Sequence, residues 1–161
     1  MYSSIRIADE FLRLAKESGC KDMSPMKLIK LVYLAHGISL AYSGEPLIYD
    51  AVEAWRYGPV IPTLYHQVME YGSKPVKSIN SAGNAEFRCA HLGCELDEWA
   101  IRCIEVAFES LGNRTAASLC ALTHELGSPW DQTIKKNNGG VIPDHLTEEY
   151  YRKRYKVDNR D

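Results

Sequence analysis

Between residues 4 and 18, apolar side chains fall at Ile7, Ala8, Phe11, Leu12 and Ala15, the three- and four-residue spacing of a helix face. Ser3 or Ser4 offers a capping hydroxyl ahead of this run, and Gly19 a left-handed stop behind it. The spacing therefore predicts a first helix with that face in the core. A more apolar stretch follows. Ser24-Pro25 supplies a capping hydroxyl and then a proline at the first helical position, where no N–H is missed. Residues 26–42 then carry Leu28, Ile29, Leu31, Val32, Ala35, Ile38 and Leu40. At about 100° per residue these positions cover well over half the helix circumference. Only a strip through Lys27, Lys30, Tyr33 and Gly37 is left for polar or small groups. Such a helix is expected at the centre of the fold, packed by several neighbours. Ser43-Gly44 ends it.

The pattern then changes. Uneven alternation around Leu47, Tyr49, Ala51, Val52 and Ala54, with Asp50 as a turn, predicts short strands or extended arms over 46–49 and 52–56. Residues 57–62, Tyr-Gly-Pro-Val-Ile-Pro, read as a rigid loop because each proline fixes its own φ and biases its predecessor to extended geometry. Pro62 suits the first turn of a third helix, with Leu64, Tyr65, Val68 and Met69 inward and Gly72 as its stop. Residues 73–95 keep no period, which marks a functional loop or an irregular pair of strands, with a turn at 80–84. Helices are expected over 97–111, with Ile101, Ile104, Phe108 and Leu111 as a seam, and over 115–126 through Leu119 and Leu122. Ser128-Pro129 restarts a short helix at Trp130, residues 137–140 read as a plain loop, and residues 144–155 as a closing helix. The fold class is thus mainly α: one compact domain over 1–161, about six or seven helices, and a small strand or hairpin element near 46–56.

A chain of 161 residues can bury a core without staples. Its 45% hydrophobic and 25% charged residues are those of a globular rather than a disordered protein. A net charge of −2 gives no global field for a polyanion. Tyr150-Tyr151-Arg152-Lys153-Arg154-Tyr155-Lys156 is the strongest local basic patch, but it reads more simply as a solvated last helix whose positive end suits the dipole. No nucleic-acid partner is expected. The five cysteines are an odd, scattered set, and residues 1–6 lack the apolar stretch of an export signal. No run approaches the roughly 20 apolar residues of a membrane span. Reduced thiols and a cytoplasmic location are the expectation.

Candidate chemistry is sparse. Cys89-x-His91-x2-Cys94, with Cys103 further on, is the cluster that most resembles metal ligands, but zinc sites favour paired, regular knuckles. Small buried apolar cysteines are the simpler account, and no metal or cofactor is expected. His124-Glu125 begins like a zinc-protease helix but has Ser128 where a second histidine is required. No phosphate loop or nucleophile elbow occurs, and no glycine framework surrounds Lys27 and Lys30. His36, Glu53, Arg56, His66 and His124 are scattered. An enzyme using His36, Glu53 and His124 is the alternative of another class, against the simpler reading that these side chains bond the backbone at element ends.

The densest set of unusual choices is Glu53-Ala54-Trp55-Arg56-Tyr57-Gly58-Pro59-Val60. Its structural reading is a hinge; its functional reading is a preorganised rim, since Trp, Tyr and Arg dominate binding hot spots. Both hold if Trp55 faces in and Arg56 and Tyr57 face out.

At this block the sequence resembles the Panacea family, the SocA-like antitoxin domain also found in phage-associated proteins. The residues that carry the resemblance are Met26-Lys27-Leu28-Ile29-Lys30-Leu31-Val32-Tyr33-Leu34-Ala35-His36-Gly37, Pro46-Leu47, Glu53 through Pro62, and Leu64-Tyr65. Thr123-His124-Glu125 with Pro129-Trp130 resembles the family's second signature. The resemblance implies a bacterial or phage antitoxin, not an enzyme, that neutralises a cognate toxin by direct contact. One branch of the family instead delivers its toxin to an ATP-dependent protease. The partner surface is then expected on Lys27, Lys30, Arg56, Tyr57 and His66, with Trp55, Gly58, Pro59, His124, Pro129 and Trp130 as structural motif.

Overall fold

Ser24 accepts a hydrogen bond from the Lys27 amide, and Pro25 occupies the first turn of the helix Pro25–Ser43 (α2), which Gly44 ends at φ +75°. This start and stop follow from the sequence. In the computed structural model, which describes residues 1–79, 86 and 90–158, 16 of the 19 residues of α2 are buried. Lys27 and Lys30 are among them, so the expected polar strip is also covered. The cover comes from Ser4–Ser18 (α1), Pro62–Val68 (α3), Glu98–Leu111 (α4), Ala116–Thr123 (α5) and Asp144–Tyr155 (α7), all of which pack on α2. Pro129–Asn137 (α6) instead packs on α7 and on the small sheet. The architecture is mainly α, with a three-stranded antiparallel sheet at one side.

Ser3 and Ser24 cap the first two helices as read from the sequence, and the heads of the later helices are capped in the same way. Ser3, Ser24, Asp97, Thr115 and Ser128 each accept a backbone N–H at the head of α1, α2, α4, α5 and α6. Asp50 adds a second cap for α1 by accepting the Ser4 amide at 2.6 Å. Several details differ from the sequence expectation. The arm over 46–49 joins no sheet; it forms a parallel bridge to Tyr2 and hangs on His36, whose Nδ1 accepts the Leu47 and Ile48 amides at 3.3 and 3.4 Å. In α4 the buried positions are Ala100, Cys103, Ile104 and Ala107, so the seam is rotated from the expected one and Ile101, Phe108 and Leu111 are half-buried. Small residues at the centre of the contact let α4 approach α2 closely. Helix α5 stops at Thr123, where the Thr123 hydroxyl and the His124 amide both turn back to the Cys120 carbonyl, leaving Leu126 exposed.

The last helix is not merely solvated. Tyr151 is buried, packs edge-to-face on Tyr33 with ring centroids 6.1 Å apart, and lies over Gly37. After α3, a turn of 3-10 helix over Met69–Tyr71 leads to Gly72, and Met69 points outward rather than in. Val76 then ties the following segment to the core by donating its N–H to the Met23 carbonyl at 2.8 Å. The expected turn at 80–84 lies outside the described residues.

The sheet is built on Glu53–Trp55 (β1). Gly58–Val60 (β2), expected as loop, pairs antiparallel with β1 through Glu53–Val60, Ala54–Pro59 and Trp55–Gly58. Gly140–Val141 (β3) pairs with the other edge of β1, giving the order β2-β1-β3. Adjacent glycines read as loop, yet Gly139 and Gly140, at φ +117° and +91°, turn the chain into this pairing.

Candidate partner-binding site

The β1–β2 hairpin reverses through Arg56 and Tyr57. Neither takes a positive φ, so the left-handed conformation that closes the turn falls on Gly58, at φ +104°. A second constraint acts on the same glycine. A methyl group there would lie 2.7 Å from Lys30 Nζ, 2.9 Å from the His124 ring and 3.2 Å from Thr123 Oγ1. Backbone and side-chain space both demand glycine.

The carbonyls of this turn are held from beneath. Lys30 Nζ donates to Tyr57 O at 2.9 Å and to Pro59 O at 2.8 Å. Trp130 Nε1 donates to Trp55 O at 2.7 Å. Cys120 Sγ shares Tyr57 O at 3.0 Å. His124 donates from Nδ1 to Cys120 O at 2.6 Å, turns Nε2 toward Arg56 O at 3.4 Å, and packs against Trp130 with the rings tilted at 60° and centroids 4.1 Å apart. Helices α2, α5 and α6 and the link between α5 and α6 therefore all anchor one hairpin. Lys30 is 1% exposed, and its ammonium donates to two carbonyls close to the Cys120 thiol. Burial lowers its pKa from 10.5 to about 8, with Cys120 acting weakly the other way.

Fastening the backbone leaves the apex side chains free. Tyr57 is 60% exposed, Arg56 is exposed with its guanidinium 5.4 Å from the Tyr57 ring centroid, and Trp55 is half-buried against Tyr65. Beside the apex lies an apolar groove of about 460 Å³ between α2, the hairpin and α3. Met26, Ile29, Tyr57, Val60, Tyr65 and Met69 form its walls, with Lys30 and Arg56 as its charged members. Met26 and Met69 are exposed there.

Of the five side chains expected to meet a partner, Arg56, Tyr57 and His66 are exposed, and His66 packs edge-on to Tyr65. Lys27 and Lys30 are 1% exposed: the first pairs with Asp22 at 2.7 Å and the second holds the hairpin. Glu53 accepts the Trp55 indole N–H at 2.7 Å. His36 is locked between two backbone amides and Asp144, 3.0 Å from Nε2. Glu53, His36 and His124 are thus committed to different partners in different places. Pro129 begins α6 and so delivers Trp130 to the hairpin. Cys89 lies outside the described residues; His91 sits 3.1 Å from Ser3 Oγ, Cys94 is exposed and Cys103 is buried in α4. Among the described residues, no group of three or more His, Cys, Asp or Glu side chains is placed to hold a metal ion. None of their helices is long and apolar enough to cross a membrane.

Sequence reading missed Cys120, Tyr65, Met26 and Met69 at this site. Cys120 carried a usable signal, since it precedes His124 by one helical turn and shares its face.

The stretch that builds this hairpin and the helices that anchor it also carries a family pattern in its sequence. Residues 28–131 match the family described as Antitoxin SocA-like, Panacea domain, and the chain belongs to that family. Among individual proteins, it is similar to Antitoxin SocA of Caulobacter vibrioides (strain NA1000 / CB15N), with 34% identity over 112 residues. The alignment covers 68% of this chain and 58% of that protein, so the chain spans little more than half of its relative's length. No solved structure matched the chain.

Proposed function

We propose that this chain is an antitoxin that neutralises a cognate toxin by binding it directly, without catalysis, through the hairpin apex and the groove beside it. Membership of the antitoxin family supports the role. The observation that carries the location is the anchoring of the turn: Lys30, Cys120 and Trp130 donate to its backbone, so the backbone from which Arg56 and Tyr57 project needs no further ordering. Preorganised aromatic and arginine side chains lose little entropy on binding, which suits them to a hot spot. An interface of roughly 800 Å² per partner centred there is large enough to cover a toxin's active site.

The test is growth rescue. The neighbouring gene is expressed from an inducible promoter alone, with this chain, and with the Arg56→Glu variant. Toxicity relieved by the wild type and restored by Arg56→Glu, at equal protein level, is the expected result. A neighbouring gene that is harmless alone, or rescue that Arg56→Glu leaves intact, contradicts the reading of role or of location respectively. Following toxin abundance in the same cultures separates occlusion, which leaves the toxin in place, from delivery to an ATP-dependent protease, which removes it.

A further inference from the structure

Cations in this protein are commonly paired. Arg13 binds Glu10 and Glu17, Lys27 binds Asp22, Lys135 binds Asp131, Lys153 binds Glu149 and Arg154 binds Glu125. The groove beside the hairpin departs from this habit. Lys30 donates to carbonyls, Arg56 lies against an aromatic face, and no carboxylate lines the groove among the described residues. The groove also receives the first turn of α2 through Pro25 and Met26; the turn itself holds no acidic residue, and Asp22, just ahead of it, is taken up by Lys27. Three sources of positive potential thus converge on apolar walls, and a low-dielectric wall lets each act at longer range than it would in water.

We propose that this groove takes an acidic segment with an apolar anchor: a carboxylate set against the Arg56 guanidinium, and an adjacent aliphatic or aromatic side chain seated among Met26, Ile29, Val60 and Met69. Lys30 stays in the floor and contributes its field rather than a contact. The naming of the toxin as the source of that segment rests on the antitoxin reading; the chemistry of the groove does not. Methionines at the mouth suit an anchor of variable shape, because the thioether chain repacks at little cost. Charge complementarity favours the carboxylate over a neutral or basic residue.

Panning a random twelve-residue peptide library on the purified chain tests this. Enriched sequences are expected to place Asp or Glu within one or two residues of Leu, Ile, Met, Phe or Tyr. The best peptide should lose about tenfold in affinity when its carboxylate becomes the amide, and by a similar factor against Arg56→Gln or Met69→Ser, the size of one charge-assisted contact or buried anchor. Both substitutions are at exposed residues, and thermal melting confirms that the variants remain folded. No enrichment, a consensus without a carboxylate, or affinity indifferent to both substitutions overturns the proposal. So does self-association, or binding of a single-stranded oligonucleotide, that Arg56→Gln abolishes, since the groove would then belong to a second copy or to nucleic acid. Growth rescue by the wild type with no acidic consensus rejects the groove chemistry alone; an acidic consensus without rescue rejects the antitoxin role alone.

Discussion

Gly58 is where the demands on a single residue are most concentrated. It closes the hairpin at φ +104° and stands where a methyl group would meet Lys30 Nζ, the His124 ring and Thr123 Oγ1. Replacing it with alanine is expected to cost about 1–3 kcal/mol from the backbone alone, with the displaced lysine adding to this. Urea unfolding of Gly58→Ala measures the loss, and an unchanged midpoint would show that the turn relaxes freely. Lys30 gives a prediction about pH. Its folded pKa of about 8 lies below the ordinary 10.5, so between these values the unfolded chain holds more protons than the folded one. Stability contributed by Lys30 must therefore rise as pH increases through that window, with the penalty of burying the charge fully present below it. A neutral amine keeps N–H groups for both the Tyr57 and Pro59 carbonyls, so deprotonation need not break the anchor. Wild type should gain stability relative to Lys30→Met between pH 7.5 and about 10. Repeating the comparison in a Cys120→Ala background removes the thiol that shares the Tyr57 carbonyl with Lys30. A difference that stays flat would mean the ammonium is adequately solvated.

Helix caps and helix existence were legible in the sequence because both are local: a serine, threonine or aspartate ahead of an apolar period sets the start whatever packs later. Faces were less legible. Lys27 and Lys30 sit on the polar strip of α2, and burial of a lysine depends on which acceptor the fold brings to it: the nearby Asp22 for Lys27, and the hairpin carbonyls, distant in sequence, for Lys30. Strand β3 escaped for the same reason, since two glycines carry no period and only the free edge of β1 gives Gly140 and Val141 a partner. The contact of α2 with α7 is the clearest case at this scale. Gly37 was legible as a small residue, but not as the seat of the Tyr151 ring, whose carbons lie 2.7 and 2.9 Å from where a methyl group would project. Gly37→Ala is expected to destabilise by about 1–3 kcal/mol through overpacking, despite the better helix propensity of alanine. Tyr151→Leu should relieve part of that cost. A double-mutant cycle reads this as a coupling of about 0.5 kcal/mol or more, and strict additivity would place the strain elsewhere.

Across the whole molecule, two stretches far apart in sequence meet at one small object. The helix that carries Lys30 and the Thr123-to-Trp130 region both terminate their hydrogen bonds on the Trp55–Pro59 turn. The sequence showed the two motifs as separate; their convergence is a property of the packing of α5 and α6 around α2 and the sheet. The rim reading was correct in placing Arg56 and Tyr57 outside, and it missed that the neighbouring lysine works from below. The groove itself was not legible, because its walls come from α2, the hairpin and α3 together, and no single segment has a groove-like period.

The centrality of α2 has a consequence for synthesis. Its residues are complete by Ser43, whereas the helix that covers Gly37 and Tyr33 begins only at Asp144. At about 5–20 residues per second, the interval between them lasts on the order of 5–20 seconds. During that time the nascent chain carries a largely apolar segment whose principal covers do not yet exist. Early association with α1, which precedes it, shields one flank; the flank awaiting α4 and α7 is a ready target for ribosome-associated holdases. Slowing translation after residue 43 would lengthen this exposure and lower the yield of native protein, without altering a single contact of the finished fold.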